Sequence, residues 1–301
     1  MASKFLRNLH EVRGIPTDKK YYAKNYQENI YPETMDEIHI RMFCRGGGKE
    51  LYPTDGTKEK AACIYSSSML SYNFFHWINE KHPLTLFGIK FTKVVFEEQF
   101  RVLKNRNNKA NIDVVLLSED GETLLAFESK FTEHLHKGPV TIKEAYDNSG
   151  NYFSDGENWV KVINYLRSNS NKESYQEGLK QVTCHLIGIS NVMRDRTAIE
   201  WFNKNSWLGH LYHINISDVK KIIFKSLVFH PKTEKEGTLS EDYEILNREF
   251  VSQQINFVPK ELILKNPIIT YKDLWDNGMR DSIRDPELKK YLEKYLSAHV
   301  E

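Results

Sequence analysis

Residues 111–133, NIDVVLLSEDGETLLAFESKFTE, constrain the fold more than any other part of the chain. Two apolar runs flank the dipeptide Asp120-Gly121, a combination typical of two β-strands joined by a tight turn. Side chains two positions apart in a strand share a face, so Glu128 and Lys130 point the same way. The segment therefore predicts a hairpin with an apolar face and a charged face.

Charged groups on this hairpin indicate a metal site. Asp113 lies in the first strand, and Glu128 and Lys130 lie in the second. Two carboxylates and an ammonium on an otherwise apolar sheet are costly to bury unless they pair or bind a cation. We expect Asp113 and Glu128 to hold Mg²⁺, with the backbone carbonyl of Ser129 as a further ligand and Lys130 orienting the attacking water. Asp113 joins this set only if the register of the hairpin agrees.

Composition excludes several other classes of protein. The chain has 301 residues and a net charge of +1, which is long enough for a full core but gives no global basic field. No apolar run is long enough to cross a bilayer, and the first residues lack a secretory signal. Cys44, Cys63 and Cys184 form no CxxC pair, so we expect a cytoplasmic protein without disulfides.

The order of periodic segments predicts one α/β fold with a central mixed sheet flanked by helices. Helices are expected at 66–81, 175–189, 240–256, 272–275 and 286–296, and strands at 93–102, 112–117, 123–131 and 219–230. The stretch 134–160 is expected to be mostly loop. We divide the chain into an irregular, partly helical N-terminal wrap (1–60), a core (61–235) and a C-terminal helical extension packed on the core (236–301).

The acids, the lysine and their strand context resemble the PD-(D/E)xK nuclease superfamily, which has the restriction-endonuclease-like fold. The expected element order is similar to the α-β-β-β-α-β core of that family. The segments SSSMLSYNFF, VVFEE, NIDVVL and FESKFTE resemble a branch of bacterial restriction-endonuclease-like proteins. The proline that usually precedes the first acid is absent, because Ile112 stands there.

The resemblance implies two further site residues. Glu97 and Glu98 are adjacent in the first strand, so only one can face the metal; the resemblance favours Glu97, whereas the register of the following loop could favour Glu98. Related nucleases place a polar residue, often Gln, on the helix after the hairpin. Gln181 occupies this place, and His185 shares its helix face. The alternative is that both glutamates are solvent-facing edge charges and that His185 is simply packed.

Other motifs carry weaker signals. Glu133, His134 and His136 contain zinc-type ligands without a partner cluster, although the resemblance suggests that Glu133 anchors a loop or Lys130. The Gly46–Gly48 run is typical of a flexible loop. Six basic residues precede the hairpin and either contact phosphates or keep a sheet edge soluble: Lys90, Lys93, Arg101, Lys104, Arg106 and Lys109.

The sequence therefore predicts a Mg²⁺-dependent nuclease, with Mn²⁺ able to substitute, that hydrolyses phosphodiester bonds of DNA. The resemblance makes Asp113, Glu128, Lys130, Glu97 and Gln181 the catalytic set. Three alternatives remain open: a nucleic-acid-binding protein without catalysis, an RNA-cleaving enzyme, and a structural protein in which the acid and lysine merely pair. Cleavage of two strands needs two active sites, so the resemblance also raises a homodimer, for which the sequence shows no interface.

Overall fold

The computed structural model describes residues 2–45, 50–53, 57–104, 108–132, 137–229 and 234–298, with side chains described outside 2–5 and 234–240. Within these residues the chain forms eleven α-helices. They are α1 (Ala2–Arg13), α2 (Glu37–Arg45), α3 (Ser67–Phe75), α4 (Gly156–Ser168), α5 (Gln176–Arg194), α6 (Arg196–Asn205), α7 (Trp207–Tyr212), α8 (Glu234–Gln254), α9 (Tyr271–Leu274), α10 (Arg280–Ser282) and α11 (Pro286–Ser297). Among these described helices, none is both long and apolar enough to span a bilayer.

A mixed sheet of seven strands runs through the described part of the chain. The strands are β1 (Leu84–Leu86), β2 (Ile89–Arg101), β3 (Lys109–Ser118), β4 (Thr123–Lys130), β5 (Lys221–Val228), β6 (Leu262–Ile263) and β7 (Ile268–Thr270). Strands β1 to β4 pair antiparallel in sequence order, whereas β5 pairs parallel with β4 and, on its other edge, with β6 and β7. The expected mixed sheet in an α/β fold is confirmed.

The sheet divides into two arms at one end. Pairing between β3 and β4 stops at Val114 and Phe127. Beyond that pair, β3 continues to Lys109 against β2, and β4 continues to Lys130 against β5. We call this point the fork, and the two continuing strand pairs its β2–β3 arm and its β4–β5 arm.

Several helix and strand bounds differ from those expected. Helix α3 begins where predicted, because Ser66 Oγ accepts the backbone N–H of Met69 as an N-cap. It ends at Phe75, several residues early, and strand β2 begins at Ile89 rather than 93. Helix α4 starts inside the stretch expected to be loop, and α6 and α7 lie where no helix was predicted.

Both ends of the chain pack on the core. Arg13 is buried, stacks over the Tyr295 ring at 4.0 Å and donates to the Ile64 carbonyl at 3.3 Å. Its guanidinium also bonds Asn29 Oδ1 and, at 2.5 Å, the Tyr291 hydroxyl. One cation therefore links α1, the following loop and α11. The boundaries at 60 and 235 remain a prediction.

Candidate active site

The two carboxylates named from the hairpin lie at the fork. Val114 and Phe127 are the last paired residues of β3 and β4, so Asp113 and Glu128 come next on the two sides of the opening. On the other edge of β3, Phe96 pairs with Val114 and Glu98 with Ile112. This register sets Glu97 opposite Asp113. The structure therefore brings Glu97, Asp113 and Glu128 into one row across three strands, which we call the acid row.

Asp113 replaces a missing strand–strand hydrogen bond at the fork. Its Oδ2 accepts the backbone N–H of Ser129 at 2.6 Å. The next carbonyl along β4, that of Lys130, faces β5, where it accepts the N–H of Phe229 at 2.8 Å. Successive residues of a strand direct their backbone groups to alternate sides. The carbonyl and the N–H of Ser129 therefore both face the fork.

Ser129 is fixed from the opposite face of the sheet. Its side chain is fully buried, and its hydroxyl lies 2.7 Å from the Tyr271 hydroxyl and 3.4 Å from the Ser67 carbonyl. The Tyr271 hydroxyl is also 3.3 Å from Ser71 Oγ, on α3. Helices α3 and α9 thus hold the backbone of Ser129 in place beneath the acid row.

Glu128 is buried between two nitrogen-bearing side chains. Lys130 Nζ donates to its Oε1, and His185 Nε2, on α5, lies 3.5 Å from its Oε2. Burial alone would raise the pKa of Glu128, but His185 and Lys130 outweigh burial and hold that pKa below its usual value. Burial lowers the pKa of His185, and the neighbouring Glu128 opposes that shift. Glu128 is therefore the ionised acid of the row.

Glu97 and Glu98 have separate surroundings. Glu98 is fully buried and accepts the N–H groups of Trp207 at 3.1 Å and Leu208 at 3.0 Å, at the start of α7. Glu97 has a φ of 51°, a left-handed conformation that non-glycine residues adopt rarely and that often marks functional positions. Of the two glutamates weighed from the sequence, Glu97 is the one beside the other acids.

Crowding of carboxylates disfavours charge on two members of the row. Burial, then Glu50 and Glu128, raise the pKa of Glu97 to about 8. Burial, then Glu128 and Glu97, raise the pKa of Asp113 well above its usual value. The carboxyl of Asp113 also acts as a hydrogen-bond partner of Glu128. The raised pKa values of Glu97 and Asp113 favour the protonated form of these two carboxyls.

Residues far from the hairpin approach the acid row without having been predicted. Glu50 lies close enough to raise the pKa of Glu97, and Lys60 Nζ is 3.4 Å from Glu50 Oε1. Both line a cavity of about 280 Å³ that also includes Thr132 and the start of α3. Burial raises the pKa of Tyr243, on α8, and nearby Lys130 opposes it. No local pattern marks these residues, because long-range packing alone brings them together.

The remaining predicted positions are less closely tied to the row. Gln181 is half-buried on α5, one turn before His185. Trp159 and Tyr152 are core residues. Glu133, His134 and His136 lie outside the described residues, as does the Gly46–Gly48 run.

The donor chemistry of the row fits Mg²⁺. Asp113 and Glu128 are adjacent carboxylates whose mutual repulsion a divalent cation would relieve, and the Ser129 carbonyl faces the same opening. Across the described ranges, no three acid, imidazole or thiol side chains are arranged to hold an ion. Mg²⁺ does not need such a cage, since it usually takes one or two carboxylates and keeps several waters.

A central mixed sheet flanked by helices is consistent with a restriction-endonuclease-like α/β core. A family model described as "Restriction Endonuclease associating with ARP" matches residues 4–296. The chain belongs to this family, REase-ARP, whose description indicates a nuclease-like function. No curated protein and no solved structure shows a significant match to this chain.

Proposed function

We propose that this protein is a metal-dependent nuclease of the PD-(D/E)xK type that hydrolyses DNA. The observation that carries the proposal is the meeting of Asp113, Glu128 and Lys130 at the fork, with Ser129 N–H bonded to Asp113. Two buried acids whose surroundings drive their pKa values apart, beside a lysine, are typical of an active site rather than of a surface ion pair. Membership of the REase-ARP family supports the same conclusion.

The proposed mechanism assigns a task to each side chain. Asp113, Glu128 and the Ser129 carbonyl would hold Mg²⁺, or Mn²⁺ in its place. The bound ion would neutralise charge on the phosphodiester and make water a better nucleophile. Lys130 would orient that water or stabilise charge on the phosphoryl oxygens. His185 would hold the second oxygen of Glu128, so that the carboxylate keeps one orientation.

The experiment is cleavage of supercoiled plasmid, linear duplex DNA and single-stranded RNA with Mg²⁺, with Mn²⁺ and with EDTA. The wild type should cut DNA only with a divalent cation. Asp113→Asn, Glu128→Gln and Lys130→Met should each lower the rate at least about 100-fold. Lys290→Met, at an exposed lysine of α11, serves as a matched control.

The outcomes separate the alternatives. If only RNA is cut, the protein is still a nuclease, but its substrate is RNA rather than DNA. DNA binding without cutting in either metal would favour the catalytically inactive reading. Absence of metal binding, nucleic-acid binding and cutting would contradict the proposal. The homodimer and the cytoplasmic location stay predictions, which light scattering and cell fractionation test.

A further inference from the structure

We propose that Arg45, Arg101 and Lys109 form a phosphate-binding site that holds the nucleic-acid strand along the β2–β3 arm, beyond the fork. We call these three residues the arm cluster. The inference rests on the proposed nuclease function and adds to it the surface that holds the substrate backbone.

The first observation is that three cations share one place. Arg101 and Lys109 are directly opposite each other in the β2–β3 ladder. Like charges at opposite positions destabilise a strand pair. Burial, then Arg45 and Arg101, lower the pKa of Lys109, so both arginines act on it electrostatically. A cluster with this internal repulsion is stabilised when an anion binds.

The second observation is what surrounds these cations. None of the ion pairs among the described residues involves Arg45, Arg101 or Lys109. Each instead lies over an aromatic ring: Arg45 over Trp207 at 5.1 Å, Arg101 over Phe153 at 5.4 Å and Lys109 over Trp201 at 5.5 Å. Burial raises the pKa of Glu98 to about 7, against an opposing effect of Arg45, and Glu98 already accepts backbone N–H groups. The rings hold the charges in position without neutralising them.

The third observation is a cavity that extends the cluster. Lys109 lines a cavity of about 260 Å³ together with Lys143 and Lys180, and with the polar side chains of Asn108 and Thr141. Lys180 is paired with Glu177 at 2.7 Å, whereas Lys143 is exposed. None of the described residues that line this cavity is a carboxylate, and such donors and positive charges suit a phosphate group.

The distance between the arm cluster and the acid row indicates which ligand binds to the cluster. Lys109 and Asp113 are four residues apart in β3, which is about 13 Å along a strand. Duplex DNA advances about 3.4 Å per base pair, so a strand cut at the acid row would pass the arm cluster about four steps away. A backbone with several phosphates reaches both places, whereas a single inorganic phosphate reaches one.

The test measures binding without cleavage. Fluorescence anisotropy of a labelled DNA duplex is followed in EDTA over a series of NaCl concentrations. The double variant Arg101→Gln/Lys109→Gln should bind at least about tenfold more weakly at 0.1 M salt. Its slope of log Kd against log salt should fall by about two, since each lost phosphate contact removes about 0.9. Lys290→Gln, an exposed lysine on α11, should match the wild type.

Charge-conserving variants separate the effect of lost charge from the effect of misfolding. Arg101→Lys/Lys109→Arg should keep the wild-type slope, and Lys143→Gln, at an exposed position, should lower the slope by about one. If the wild type, the double variant and Lys143→Gln have equal salt slopes, the arm cluster does not bind phosphate. If the wild type nevertheless cuts DNA, the proposed nuclease function still stands. Displacement of DNA by inorganic phosphate at matched ionic strength would overturn the nucleic-acid assignment. A wild type that neither binds nor cuts would overturn both proposals.

Discussion

The backbone N–H of Ser129 donates a hydrogen bond to Asp113 Oδ2 at 2.6 Å, across the fork where β3 and β4 no longer pair. The bond ties the first acid of the site to the residue between Glu128 and Lys130. Because one residue links all three, a displacement of either strand would move the acids and the lysine relative to each other. The remaining acid, Glu97, is placed by its own unusual backbone conformation.

The adjacent pair Glu97 and Glu98 should separate activity from stability. Glu97→Ala should lower cleavage at least about tenfold without destabilising the protein, because it removes a crowded carboxyl. Glu98→Ala should lower the free energy of unfolding by about 2 kcal/mol, because it leaves N–H groups of α7 without an acceptor. Urea titration and plasmid cleavage measure the two effects. Equal behaviour of the two variants would contradict the assignment.

Mg²⁺ affinity should rise with pH. Glu97 has a pKa of about 8 in the metal-free protein and that of Asp113 is also raised, so both must lose protons before they can serve a cation. Affinity should therefore increase from pH 6 and level off above about pH 8. Calorimetry in buffers of different ionisation enthalpy should detect proton release on binding. A flat profile with no released proton would contradict the raised pKa values of Glu97 and Asp113.

Stability of the metal-free protein should follow the opposite course. The pKa of Glu97 is raised from its ordinary 4.5 to about 8, so between these values the folded chain binds more protons than the unfolded chain. The free energy of unfolding should then fall as the pH rises through this window, by about 1 kcal/mol per pH unit. Urea titrations at pH 5, 6.5 and 8 check the slope, which Glu97→Gln should reduce.

His185 and Gln181 offer a direct comparison on one helix. His185→Ala should lower cleavage about tenfold or more, because Glu128 loses the group 3.5 Å from its second oxygen. Gln181→Ala tests the residue that the family resemblance favours; the geometry predicts a change of less than about threefold. His185→Gln should recover part of the activity. A larger loss at Gln181 would show that substrate contacts, rather than support of Glu128, dominate on α5.

Arg13 should matter for stability alone. Arg13→Ala removes hydrogen bonds to Asn29 and Tyr291 and the stacking on Tyr295, so we expect a loss of about 3 kcal/mol in the free energy of unfolding. Thermal melting measures it. Cleavage per folded molecule should be unchanged below the melting temperature, and a selective loss of activity would contradict a purely structural role.

Local patterns predicted much of the geometry of the candidate site, because strand alternation is a local rule. The shared face of Glu128 and Lys130 followed from their spacing, and the position of Asp113 needed only the hairpin register. The conformation of Glu97 could not be read from the sequence, since a left-handed φ at a glutamate has no local signature. The approach of Glu50 to that residue depends on packing across a long sequence separation.

Helix prediction failed for a related reason. Helices α6 and α7 are short, and their capping residues Asp195 and Ser206 were not distinguishable from those of polar loops. The early end of α3 coincides with local side-chain bonds: Trp77 Nε1 donates to the Phe74 carbonyl at 2.7 Å, and Asn79 Nδ2 donates to the Trp77 carbonyl at 3.0 Å.

The Tyr271 hydroxyl that meets Ser129 has a consequence for biosynthesis. Ser129 leaves the ribosome long before Tyr271, so a growing chain carries its acids and lysine without the contact that fixes them. The fork would gain its final geometry only when the segment that carries Tyr271 has docked on the sheet.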